Sequence, residues 1–234
     1  MRLFFTGTGS AFFPALGNNG AFFTCGQNLY LIDCGEALFA KLMKARLLSG
    51  YPGSLTVILT HTHADHCGSL ATLALYAAER LCQPLTLVHP DERVTSLLSL
   101  MGVQGDQYRL VPSLDEGGIR VMPRPIRHVP AIPAYAYCIS DGDETIYYSG
   151  DAAELPADIL RGLAEGNIAR AYQDVSDFPG RPPAKAAHLP LDTLSALVEP
   201  PLRAKFTLMH INCGYTAKAA RLGFACAEAD HHFR

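Results

Sequence analysis

Leu55-Thr56-Val57-Ile58-Leu59-Thr60-His61-Thr62-His63-Ala64-Asp65-His66-Cys67-Gly68 is the stretch that settles the fold. Its first six residues are β-branched or apolar throughout, as in a strand buried on both faces. Gly68-Ser69-Leu70-Ala71-Thr72-Leu73 then opens a helical pattern, so the histidines sit on a strand-to-helix loop. Alternate residues of an extended chain point the same way. His61 and His63 can therefore reach one ion while Asp65 and His66, where the chain turns, reach a second. HxHxDH at a strand end thus implies two metals close together.

Upstream, Arg2–Thr6 is a short strand ending in Gly7-Thr8-Gly9-Ser10-Ala11, and residues 21–26 and 28–33 form a hairpin that delivers Asp33 into Cys34-Gly35-Glu36. Residues 36–48 are helical, with Leu38, Phe39, Leu42, Met43 and Leu47 as the core stripe. Downstream, helices over 70–81 and 91–101 flank a strand over 84–89, an α/β alternation. From Gln107 to Gly150 short strands (118–122, 134–140, 144–149) predict a second, mostly antiparallel sheet. Helix 155–163, strand 169–175, helix 191–198, strand 205–210 and a closing strand 222–227 complete two similar halves. The order predicts helices outside two facing sheets in one domain spanning 1–234.

A hydrophobic fraction of 49% against 18% charged residues predicts a soluble chain with a substantial core. No apolar run is long enough to span a membrane, and Met1–Phe5 is too short for a signal sequence. The seven cysteines form no CxxC pair, so neither a disulfide framework nor a thiolate zinc knuckle is suggested, and the reduced cytoplasm is the expected compartment. A net charge of −3 argues against an extended nucleic-acid-binding surface.

A dinuclear site needs more ligands than residues 61–66 supply. His128 lies on a loop before a strand, Asp151 ends Thr145-Ile146-Tyr147-Tyr148-Ser149-Gly150, and His210 ends Phe206-Thr207-Leu208-Met209. Each is a metal-capable side chain beside an apolar strand, as His61 is.

Taken in order, Asp33 in Leu31-Ile32-Asp33-Cys34-Gly35, HxHxDH at 61–66, His128, Asp151 and His210 resemble the motif series of the metallo-β-lactamase superfamily over nearly the whole chain. The resemblance implies a four-layer αββα sandwich. It implies that His61, His63 and His128 hold one metal, that Asp65, His66 and His210 hold the other, that Asp151 bridges both, and that Asp33 orients the loop. Two divalent ions are implied as cofactors, zinc foremost, with manganese or iron as alternatives, and a homodimer as the assembly.

Within the superfamily, Gly7–Ala11 with Asn18-Asn19, Gln173-Asp174-Val175-Ser176, Ala186-Ala187-His188-Leu189-Pro190 and His210-Ile211-Asn212 resemble ribonuclease Z and the cyclic phosphodiesterase of phosphonate degradation. Asp174 and His188 match the acid-and-histidine dyad beside the metals in those enzymes. The segment from Asp151 to Asp174 is too short for the long arm with which ribonuclease Z grips tRNA, and the phosphonate enzyme's cysteine cluster is missing. The expected function is a dinuclear hydrolase of a small or short, cyclic or nucleotide, phosphodiester. Asp65 would orient or deprotonate the attacking water, and His188, kept protonated by Asp174, would protonate the leaving alkoxide. The alternatives are a thioester or lactone hydrolase of glyoxalase II type and a tRNA 3′-processing endonuclease lacking the arm. Ala64 stands where flavodiiron chemistry prefers Glu. Arg124 and Arg127 are candidate phosphate contacts, Tyr137 and Tyr215 candidate donors, and Gly102–Asp106 and the loop 178–187 candidate parts of the pocket mouth.

Overall fold

The computed structural model describes residues 1–49, 53–176, 186–212 and 214–233. In the first half, β1 (Phe4–Gly7), β2 (Gly20–Cys25) and β3 (Asn28–Ile32) form an antiparallel meander. Helix α1 (Leu38–Lys44) then crosses to β4 (Leu55–Ile58), the short α2 (Ala64–Cys67) and α3 (Leu70–Arg80) cross to β5 (Leu85–Val88), and α4 (Val94–Leu100) crosses to β6 (Tyr108–Val111). From β3 onward the pairing is parallel. The sheet order is β1-β2-β3-β4-β5-β6.

The second half repeats the plan. The strands β7 (Leu114–Glu116), β8 (Ile119–Ile126), β9 (Ala134–Ser140) and β10 (Thr145–Tyr148) run antiparallel. Helices α5 (Ala157–Glu165), α6 (Leu191–Leu197) and α7 (Thr216–Arg221) lead to the parallel strands β11 (Arg170–Asp174), β12 (Phe206–Met209) and β13 (Ala225–Cys226). The order is β13-β12-β11-β10-β9-β8-β7.

Strand alternation sets the layers, because successive side chains point to opposite faces of a sheet. Leu29, Leu31, Val57 and Leu87 pack outward with Leu42, Leu73 and Val94 from α1, α3 and α4. Their neighbours Tyr30, Ile32, Ile58 and Val88 pack inward, against Val121, Tyr137, Ile146 and Tyr148 of the other sheet. On the far side Tyr147, Ala171 and Leu208 meet Ile159 and Leu194 from α5 and α6. The result is the αββα sandwich that the motif order implies.

Two elements depart from the sequence reading. Tyr108–Val111 joins the first sheet rather than the second, pairing parallel with β5 as an edge strand. Its residues are half-buried or exposed, so the apolar run that marks a central strand is missing. The closing strand is confined to Ala225–Cys226 and is preceded by α7, whose Thr-Ala-Lys-Ala-Ala-Arg sequence buries only Ala219 and offers no apolar stripe. No helix among the described residues is long and apolar enough to cross a membrane.

Candidate metal centre

Parallel strands place their C-terminal ends along one edge, where α/β sheets gather ligand-binding side chains. Asp33 follows β3, His61 follows β4, Asp151 follows β10, Asp174 ends β11 and His210 follows β12. The chain must turn sharply at this edge. Asp33 and His210 take left-handed φ values of 64° and 57°, uncommon for residues with a Cβ and typical of strained functional positions. Gly150 does the same at 56°, and a Cβ there would lie 2.9 Å from Cβ of Thr60.

Two donor groups meet at Asp151. Around Oδ2, His61 Nε2 lies at 3.7 Å and His128 Nε2 at 3.8 Å, and both nitrogens lie within 2.9–3.2 Å of His63 Nδ1. Around Oδ1, His66 Nε2 lies at 3.2 Å and His210 Nε2 at 3.4 Å, and both approach Asp65 Oδ2, at 3.2 and 3.6 Å. Within each set the donor atoms all lie within 4.8 Å of one another. His66 Nε2, His210 Nε2 and Asp151 Oδ1 are buried without a hydrogen-bond partner, which is costly unless a cation takes them. Imidazole and carboxylate donors of this kind fit divalent metal ions.

The opposite nitrogens explain why the rings point inward. His66 Nδ1 lies 2.8 Å from Asp33 Oδ2, His61 Nδ1 lies 3.0 Å from Thr60 Oγ1, and His128 Nδ1 donates to Ala187 O at 2.8 Å. His210 Nδ1 lies 3.1 Å from Ser176 Oγ and 3.3 Å from Asp174 Oδ1. Each anchor fixes a tautomer and frees Nε2 for a metal. Asp33 itself receives the Thr60 backbone N–H at 2.8 Å and the Thr60 hydroxyl at 2.9 Å.

Electrostatics divide the two groups. Burial drives the pKa values of His61, His63 and His128 down, and neighbouring histidines add to this, which favours the neutral rings. Burial also opposes charge on His66 and His210, but Asp151 with Asp33 raises His66, and Asp151 with Asp174 pushes His210 up to about 10. Asp65 and Asp151 move the other way: burial would raise them, and the adjacent histidines hold both well below the usual carboxylate range.

His188 lies against this centre. Its Nδ1 is 2.6 Å from Asp174 Oδ2 and its ring stacks on His210 with centroids 5.0 Å apart. Burial lowers its pKa, and the Asp174 carboxylate more than reverses this, leaving it raised. A cleft of about 360 Å³ opens over the site, with His63, Asp65, His128, Asp151, His188 and His210 in its lining. All seven ligand candidates, and both members of the dyad, thus come together.

Other candidates are placed elsewhere. Tyr137 is fully buried between the sheets and donates to Leu59 O at 2.8 Å, and Tyr215 donates to Val175 O. Arg124 pairs with Asp158. Arg127 donates to Ala153 O at 3.0 Å and Ala186 O at 3.3 Å and lies 3.5 Å from Glu154 Oε2, so its guanidinium braces two loops beside the cleft. Gly102–Asp106 follows α4 and does not line the cleft, whereas of the loop 178–187, whose residues 178–185 lie outside the described ones, Ala187 does line it. Thr60, Ser176 and Asn19, whose Oδ1 accepts the His210 backbone N–H at 3.3 Å, stand in the quoted motifs but were assigned no role from sequence. Ser176 was within reach, because it stands two positions after Asp174 on the same side of an extended segment.

Known proteins align with the chain end to end. Anti-Pycsar protein Apyc1 of Paenibacillus harenae is 28% identical over 232 residues, covering 90% of this chain and 89% of its own. The metallo-β-lactamase fold protein YhfI of Bacillus subtilis superposes with a TM-score of 0.76 at 18% identity, covering 97% of this chain and 96% of its own. Human tRNase Z, short form, gives 0.71 at 19% identity, covering 98% and 97%. The fold is therefore that of the metallo-β-lactamase proteins, as the motif series implies. Matched over residues 1–230 by the profile described as Anti-Pycsar protein Apyc1 and built on that fold, the chain belongs to this family and is a metal-dependent hydrolase.

Proposed function

We propose that the chain is a single-domain dinuclear metal phosphodiesterase that opens a cyclic nucleotide. The observation that carries the reaction type is the 2.6 Å contact between His188 Nδ1 and Asp174 Oδ2 in the wall of the cleft, beside the two donor groups. A phosphodiester expels an alkoxide, a poor leaving group that needs a proton, whereas thioester cleavage expels a thiolate that does not. The anti-Pycsar name of the family supports a small cyclic nucleotide signal over a long nucleic acid as the target.

His61, His63 and His128 would hold one divalent ion, Asp65, His66 and His210 the other, with Asp151 between them, and zinc suits the imidazole-rich set best. When bound, such ions supply Lewis acidity to the phosphoryl group and lower the pKa of water enough to provide a nucleophile at neutral pH. Asp65, held as a carboxylate at the cleft floor, accepts the proton of the attacking water. Because Nδ1 of His188 is committed to Asp174, Nε2 carries the proton that the leaving oxygen takes. A P–O bond forms to water, the ester P–O bond breaks, and one proton has moved from water to Asp65 and one from His188 to the alkoxide.

The test is turnover of 3′,5′-cyclic mononucleotides by the zinc- and manganese-loaded protein, alongside S-lactoylglutathione and a precursor tRNA. Ring opening of the cyclic nucleotides to linear monophosphates is the expected result. Hydrolysis of the thioester alone, or cleavage of the tRNA alone, would overturn the assignment. The reading includes a cytoplasmic homodimer, checked by light scattering of the loaded protein and by fractionation.

A further inference from the structure

Among the described residues two large apolar side chains, Phe12 and Leu100, are more than four-fifths exposed, and of the two only Phe12 lines the cleft. Phe12 is 86% exposed although it sits on a turn pinned at both ends. Ser10 N–H donates to Ile211 O at 3.1 Å, beside His210, and Phe13 N–H donates to Ser10 O at 2.9 Å. The ring stands at the rim of the cleft, with Ala11 next to it and Val129 also in the lining. Leaving a phenyl group in water forgoes about 1.5–3 kcal/mol of burial, so an exposed aromatic fixed at a cleft mouth suits contact with a ligand.

The cleft is polarised along its depth. Its floor carries the His and Asp donor groups, while the rim offers Phe12, Ala11, Val129 and the exposed carboxylate of Glu36, and no Lys or Arg lines it among the described residues. An anionic group is drawn to a metal-bearing floor and meets a negative charge at the rim. Phe12, Ala11 and Val129 offer a flat, apolar face at the described rim, which suits an uncharged end of the ligand.

We propose that Phe12 is the stacking platform for the nucleobase of a mononucleotide whose phosphate sits on the floor; this rests on the cyclic-nucleotide reading above. Stacking on an aromatic ring is sequence-tolerant because every base has a π-face, so the platform selects for a base without selecting strongly among bases. Glu36 at the same rim works against a ligand with a further phosphate there, which separates a mononucleotide from an oligonucleotide.

The experiment pairs ligands with and without a base. Adenosine 5′-monophosphate and ribose 5-phosphate are titrated calorimetrically into the zinc-loaded wild type, Phe12→Ala and Phe12→Trp, and turnover of 3′,5′-cyclic AMP is compared with that of ribose 3,5-cyclic phosphate. Base stacking of about 1–3 kcal/mol corresponds to roughly 5- to 150-fold, so Phe12→Ala should weaken the nucleotide by that factor and leave the ribose phosphate unchanged, with Phe12→Trp restoring it. Equal losses for both ligands, or no loss for the nucleotide, overturn the proposal. Absence of cyclic-nucleotide turnover by the wild type would instead sink the functional reading, since the two monophosphate titrations report on Phe12 alone.

Discussion

Asp174 Oδ2 lies 2.6 Å from His188 Nδ1, and Oδ1 of the same carboxylate lies 3.3 Å from Nδ1 of His210. One fully buried carboxylate thus supports His210, a member of the group around Asp65, His66 and Asp151, and His188, which lies outside the two groups described above but forms a third metal-capable set with Asp151, Asp174 and His210. It couples the candidate acid to the centre and fixes both rings in the same movement.

His188→Ala should therefore act on the leaving group. A missing general acid costs about 10²–10⁴-fold, and the cost shrinks when the leaving oxygen needs no proton. Turnover of cyclic nucleotides is expected to fall by that order while bis(p-nitrophenyl) phosphate loses much less and metal content holds. Equal losses on both substrates would remove His188 from proton transfer.

The pH profile should move when Asp174 loses its charge. A general acid works while protonated, so activity falls as pH climbs through the pKa of His188, which the Asp174 carboxylate raises above its ordinary 6.5. In Asp174→Asn that support is gone and the falling limb shifts to lower pH. A limb unmoved by the substitution, measured as kcat against pH, would assign it to another group.

Metal loading should release protons. Asp151 and Asp174 keep His210 protonated up to about 10, and an ion at this position has to displace that proton. Apparent zinc affinity is expected to rise with pH, with calorimetry in buffers of different ionisation enthalpy showing net release near pH 7.5. The same raised pKa stabilises the chelated protein below the ordinary imidazole value of 6.5, and this contribution is lost as pH rises toward 10. Thermal midpoints of chelated protein across that range provide the second check.

Much of this was legible because strand-end residues need only local pattern to be recognised. His61, Asp151 and His210 each follow an apolar β-branched run, and the run predicts both the strand and the edge where it stops. The contacts of Tyr137 and Arg127 were not legible, for the opposite reason. Their partners are backbone oxygens of Leu59, Ala153 and Ala186, whose positions depend on the packing of the two sheets and on loops far away in sequence. The edge strand Tyr108–Val111 carried no central-strand signature. Phe12 carries no sequence signal of its own; its exposure together with its place in the cleft lining marks it out.

Thr60→Val preserves shape and removes one hydroxyl. That hydroxyl donates to Asp33 at 2.9 Å and lies 3.0 Å from His61 Nδ1, so a buried carboxylate and a buried ring both lose a partner. Leaving such groups unsatisfied costs about 1–3 kcal/mol, and losing an outer partner of a ligand lowers metal affinity by roughly 10- to 100-fold. Chemical denaturation and competition with a zinc chelator measure the two effects. Unchanged affinity would show that the backbone N–H of Thr60 alone suffices to orient Asp33.

Arg127→Ala tests a brace. The guanidinium donates to Ala153 O, two residues after Asp151, and to Ala186 O, two residues before His188, while its own backbone carbonyl accepts from Ala153 N–H at 2.8 Å and its neighbour is His128. Three functional loops meet on one side chain that is half exposed, so solvent screens its charge and the stability cost should stay near 1 kcal/mol, or about 2–4 °C in a chain of this size. The larger effect falls on alignment, because a misplacement of about 1 Å can cost 10²-fold in rate. If Arg127 bound phosphate, KM would rise at constant kcat and Arg127→Lys would recover most of it. A brace predicts a fall in kcat at nearly constant KM, and no rescue by Lys, whose single ammonium cannot span both carbonyls.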